Sequence, residues 1–193
     1  MTSTYTIQDF GPSDLLTSSR YKYRRIRVDL AQTGFFEGRE FRTFKELNIP
    51  QGQTVVMRIN VPVNTILQSV GITLDSGSIK LRTVSGGAPV GSFASNLPII
   101  PKNTMTGTEF PAPPLPLYVA QNTINYGATG LTGGVDIDVI RLVVANASGQ
   151  ASSVGSAQDD SRGVGPGTYY WVFENFGNGG AAGVFSSFFE ERP

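Results

Sequence analysis

Some eight times along this chain, a short stretch of alternating apolar and polar residues starts and then stops at glycine or proline. A period of two sends successive side chains to opposite faces of a strand, so such a chain is built for half-buried β-strands and not for helices. Between Tyr21 and Leu30, Ile26, Val28 and Leu30 share one face and Arg25 and Arg27 the other. Val55 to Val61 is bounded by the turn Ile49-Pro50-Gln51-Gly52 and by Pro62. Leu67 to Leu74 alternates Val70, Ile72 and Leu74 before the tight turn Asp75-Ser76-Gly77. Ile79, Leu81 and Thr83 then alternate against Lys80 and Arg82, so one face of that strand is wet. Further strand signals cover Leu117–Asn125, Val135–Ala145, Thr168–Phe176 and Gly183–Glu190.

The turn Gly177-Asn178-Gly179-Gly180 is the clearest hairpin signal in the chain, so the last strand is expected to pair back on Thr168–Phe176. Phe35 to Leu47 reads as strand from its aromatics and threonine, although Phe41, Phe44 and Leu47 also fit a helical stripe. Residues 85–114 carry glycine and proline without a clear period, and a connection of that length usually has a function or packs on a neighbour. Phe110 to Leu117 is polyproline-like, and Asn146 to Gly167 reads as a loop.

These signals predict an all-β fold, an antiparallel β-sandwich or jelly roll with an extended N-terminal arm. The expected division is an arm and first strand over 1–33 and one domain over 34–193. No repeat of 20–50 residues is present, which argues against a solenoid or propeller.

Composition limits the chemistry. The 193 residues contain no histidine and no cysteine, which removes the commonest general base, the thiol nucleophile and the soft ligands of most zinc and copper sites. No catalytic residue, cofactor site or metal site is expected. Fifteen basic residues balance fifteen acidic ones, so nothing global draws the chain to nucleic acid or membrane. Arginine outnumbers lysine eleven to four, a bias that suits fixed interface contacts. The start Met1-Thr2-Ser3-Thr4 lacks a basic and apolar leader, and no apolar run reaches the ~18 residues of a membrane span.

Several local patterns have both a chemical and a plain reading. Arg20, Lys22, Arg24, Arg25 and Arg27, interleaved with Tyr21 and Tyr23, gather a third of the basic residues into eight positions. The plain reading is the solvated face of an edge strand; the next is a site for an acidic protein surface, and the last a nucleic-acid backbone contact. Asp136 and Asp138 would share a strand face, where two carboxylates could bind calcium or act as acid and base; an ordinary polar face is the simpler reading, as it is for Asp159-Asp160 in its loop. Arg162-Gly163-Val164-Gly165-Pro166-Gly167 looks like a phosphate loop but opens no helix and lacks Lys-Ser/Thr, so it reads as a turn. Tyr169, Trp171 and Phe173 share a face that would stack on sugars if exposed and is core if buried.

One resemblance spans most of the chain from Arg39 onward. It rests on Arg39-Glu40-Phe41 and Phe44, Ile49-Pro50-Gln51-Gly52, Val61-Pro62-Val63, Gly86-Gly87, Leu97-Pro98-Ile99, Asn103-Thr104-Met105, Gly167-Thr168-Tyr169-Tyr170-Trp171 and Phe188-Phe189-Glu190-Glu191-Arg192-Pro193. This wording resembles small accessory virion proteins of tailed bacteriophages, the kind that decorate or cement the head. The resemblance implies a non-enzymatic structural protein, a dimer or trimer of its own subunits attached to a major capsid or other virion protein. It implies a virion location, after synthesis in the host cytoplasm. A tail, neck or fibre-base component fits the same residues, and a carbohydrate-binding β-sandwich is a further alternative.

Overall fold

The computed structural model describes residues 33–106, 113, 115–144, 151–155 and 162–193, all within the compact unit Gln32–Pro193. The predicted arm and its Arg20–Arg27 cluster lie outside the described residues, as does Asp159-Asp160.

After a single helical turn, α1 (Thr33–Phe36), the chain forms four long strands: β1 (Glu40–Ile49), β2 (Thr54–Val61), β3 (Asn64–Ser76) and β4 (Ser78–Ser85). Short pieces follow: β5 (Ala88–Val90), β6 (Ser95–Asn96), β7 (Ile100–Pro101), β8 (Thr123–Ala128) and β9 (Gly130–Thr132). The chain then runs through β10 (Val135–Val143), β11 (Ala151–Gly155), β12 (Arg162–Val164), β13 (Gly167–Asn175) and β14 (Ala181–Arg192).

Two antiparallel sheets pack face to face. One has the order β11-β3-β14-β1-β7, with β12 also on β3; the other has the order β10-β4-β13-β2-β8-β6. The pairing is nested: β1 with β14, β2 with β13, β3 with β11 and β12, β4 with β10. That is one long antiparallel ribbon rolled over on itself, a jelly roll, with residues 86–134 inserted at the ribbon's tip. The expected all-β sandwich is therefore observed.

The core follows from the alternation. Phe41, Leu47, Ile49, Ile72, Leu74, Phe185 and Phe189 point inward from one sheet; Met57, Ile59, Ile79, Leu81, Trp171 and Phe173 point inward from the other. At the centre, the Phe185 ring lies 4.9 Å from Trp171 and 5.1 Å from Phe173. A smaller second core sits on the outer face of the β13 sheet. There Val56, Val84, Ala128, Tyr170 and Val172 are covered by Phe93 and Leu131, beside the two-stranded ribbon β5–β9.

Several expectations change. β14 does not pair back on β13; it lies in the other sheet between β1 and β3. The Gly177–Gly180 turn thus carries the chain across the core, where the aromatic rows of β13 and β14 meet ring to ring. The predicted loop Asn146–Gly167 contains β11 and β12, held by the thirteen-residue β3, which has length to spare for two partners. The predicted strand Leu117–Asn125 begins only at Thr123. Within the connection 85–114, which carries no clear period, β6 joins the edge of one sheet and β7 the edge of the other. Leu97 is buried between them, and the Thr43 hydroxyl donates to the Pro98 carbonyl at 3.0 Å, which closes that side of the sandwich. In Phe35–Leu47 the expected strand starts at Glu40, behind the helical turn.

Candidate interaction surface

Of the patterns with a chemical reading, those among the described residues make the following contacts. Asp136 and Asp138 do not share a regular strand face, because the register with β4 slips between them: Asp136 lies opposite Val84 and Asp138 opposite Thr83. Asp136 instead accepts from Arg82 at 3.0 Å, and Glu174 accepts from Arg82 at 2.8 Å and from Lys80 at 3.4 Å. The wet face of β4 is thereby an ion-pair network spanning three strands. Asp138 accepts from the Val139 N–H at 2.8 Å and borders a cavity of about 160 Å³ between the sheets, the one carboxylate among its described lining residues. Arg162 donates to the Ile137 carbonyl at 2.9 Å; of the Arg162–Gly167 stretch read as a turn, Arg162–Val164 is instead strand β12 and only Gly165-Pro166 connects it to β13.

Trp171 is core, with 1% of its surface exposed, and Phe173 is fully buried. Tyr169 packs against the same cluster, its hydroxyl donating to the Gly165 carbonyl at 3.0 Å. The sugar-stacking alternative thus loses its tryptophan.

Three buried carboxylates gather near residue 190. Glu40 pairs with Lys102 at 2.6 Å, and Glu190 pairs with Arg192 at 3.1 Å and faces Arg39 at 3.8 Å. Glu191 is completely buried and accepts from the Tyr118 hydroxyl at 2.9 Å, the Gln121 N–H at 2.9 Å and the Asn122 N–H at 2.8 Å. The Asn122 amide nitrogen in turn donates to the Thr65 hydroxyl at 3.1 Å. Burial pushes the Tyr118 phenol above its ordinary pKa, and the hydrogen bond and charge of Glu191 push it the same way. Each acid has its own donors, and among the described residues no group of three or more acidic side chains could hold a metal ion.

What Glu191 holds is an extended segment, residues 115–122, running beside the β6–β7 crossing. Its side chains alternate as a strand's do: Leu117 and Val119 are exposed, Tyr118 and Ala120 turn toward the core, and Asn122 is buried. Yet it belongs to neither sheet, and among the described residues the main-chain groups of Leu117 to Ala120 pair with no other main-chain group. Leu115, Leu117 and Val119 are 69%, 58% and 78% exposed. Behind them an apolar groove of about 490 Å³ is walled by Leu97, Ile99 and Pro101 on one side and Tyr118 and Ile124 on the other. A row of large apolar side chains along an unpaired edge is a surface that monomers normally cover.

A second apolar patch lies on the outer face of the β14 sheet. Arg42 sits over the rings of Phe44, at 5.6 Å, and Phe188, at 5.1 Å, with the half-exposed Ile100 and Val184 on the same face. Neither patch was singled out by sequence reasoning. The available signal was the lack of any charged residue from Phe110 to Val135, which sets Leu115, Leu117 and Val119 in a wholly neutral stretch.

Comparisons with protein families, with curated proteins and with solved structures returned no match.

Proposed function

We propose that this chain is a non-enzymatic structural protein of a tailed-phage virion, a head decoration or cement protein that assembles as a small homo-oligomer on a capsid protein. The observation that carries this reading is the exposed, unpaired apolar edge at Leu115, Leu117 and Val119, mounted on a firmly closed jelly roll. Such an edge is useful only when another protein covers it. Supporting features are the neutral net charge, the ion-paired state of Asp136 and Glu174, and the donor shell that fixes Glu191. Jelly rolls serve as viral coat domains and also as lectins, so the fold adds weight by analogy alone. Burial of Trp171 favours assembly over glycan stacking. The basic and tyrosine-rich stretch Arg20–Arg27 would supply the contact to an acidic neighbour.

The test is immunogold labelling and quantitative mass spectrometry of particles purified from cells that make the protein. Labelled heads, with a stoichiometry that follows the capsid lattice, support the reading. Label confined to the tail or neck selects the tail-component alternative. Absence from purified particles overturns both.

A further inference from the structure

We propose that the 115–120 edge is the self-association site of this protein, covered by the same edge of a second copy running antiparallel about a two-fold axis. This rests on the assembly reading and names its partner.

Three observations select a second copy over another occupant. An unpaired stretch of main chain offers alternating N–H and C=O groups, and a second antiparallel copy offers the matching set, so the edge is complementary to itself. The side chains beside it are Leu115, Leu117 and Val119, so apolar surface meets apolar surface in a two-fold contact. No charged residue lies between Phe110 and Val135, so the pairing brings no like charges together, which is the usual obstacle to a surface meeting its own copy. The edge is also rigid before association. Glu191 fixes the Gln121 and Asn122 amides, and Tyr118 and Ala120 anchor on the core, so little ordering entropy is lost on pairing. Pro116 limits the ladder to a few residues after it, which makes the contact a dimer seam and not a template for an open fibre.

The experiment is light scattering on the full chain across a concentration series, beside Leu117→Asp, Leu117→Lys and their equimolar mixture. The expected result is a mass twice the 20.7 kDa chain for the native protein, a single-chain mass for either variant, and recovery of the double mass on mixing. Leu117 is exposed, so both variants should still fold, with a midpoint lowered only by the lost association; recovery on mixing shows directly that the fold survives. A native protein that stays at one chain mass overturns the proposal. So does an oligomer that survives Leu117→Asp, or one that instead dissolves on Arg25→Glu with Arg27→Glu. Because these readouts are masses in solution and not particle labelling, this proposal can fail while the virion reading stands, and the reverse.

Discussion

Replacing Glu191 by glutamine changes one atom of a buried group and should cost far more than a surface substitution. The carboxylate accepts on both oxygens: Asn122 N–H at 2.8 Å on Oε1, and Gln121 N–H and the Tyr118 hydroxyl at 2.9 Å on Oε2. A glutamine must put its NH2 at one of these positions. The Gln121 N–H also reaches Oε1, at 3.2 Å, so an NH2 at Oε2 leaves that donor only its longer bond and takes the acceptor from the Tyr118 hydroxyl, whereas at Oε1 the Asn122 N–H loses its acceptor outright. Weakening or losing one such buried bond costs up to about 1–3 kcal/mol, and the surviving bonds lose their charge assistance, for a total of about 1–3 kcal/mol. Chemical denaturation should show the midpoint falling with its slope unchanged. Hydrogen exchange should speed up at Gln121 and Asn122. The Tyr118 phenol gives a second readout. Its pKa is raised in the folded state, so its contribution to stability is complete below about pH 10 and is lost as pH rises through the folded value. In Glu191→Gln burial still raises that pKa but the carboxylate no longer does, so the alkaline loss should shrink. A stability change under about 0.5 kcal/mol, with exchange at Gln121 and Asn122 unaltered, would refute the reasoning.

Phe185→Ala removes the ring that meets both Trp171 and Phe173 and should destabilise by about 3–5 kcal/mol in the same denaturation assay. Gly183→Ala should cost about 3 kcal/mol by thermal or chemical unfolding, because a Cβ there would lie 2.2 Å from the Thr73 carbonyl oxygen, across the irregular register of β14 and β3. Trp171 fluorescence should be blue-shifted, resistant to iodide and unmoved by added sugars; sugar-dependent quenching would restore the carbohydrate-binding alternative.

How much of this was legible depended on whether a signal was local. In β4, Ile79 and Leu81 face the core while Lys80 and Arg82 meet Glu174 and Asp136, so the two faces differ and the period of two is plain. In β13 the alternation itself was legible, but both faces are apolar, and Tyr170 and Val172 lie buried in the second core. The partner of β14 was not legible, because Gly177-Asn178-Gly179-Gly180 specifies a reversal of direction but not the sheet in which the chain continues. The stretch Ala151-Ser152-Ser153-Val154-Gly155 has weak strand propensity and is a strand only because β3 offers it an edge. Residues 117–122 show the converse: their alternation is that of a strand, but no neighbour completes a ladder, and this absent partner is what turns a misread strand into a candidate site. The Asp136–Asp138 pairing failed because a slip of register leaves no mark in the spacing of the two residues. Glu191 stood inside a familiar-looking C-terminal motif, yet nothing in its neighbours foretold that it would hold residues more than sixty positions earlier.

The crossing of the chain between β13 and β14 also sets a timetable. Glu40 of β1 waits for Glu190, and Thr73 of β3 for Val184, so the central member of that sheet is the last of the strands to be synthesised. While a ribosome is still extending the chain, β1 and β3 are two separated edges with an empty lane between them. This sheet therefore cannot be completed until residues 181–192 are clear of the exit tunnel, and until then β1 and β3 lack the strand that covers their facing edges.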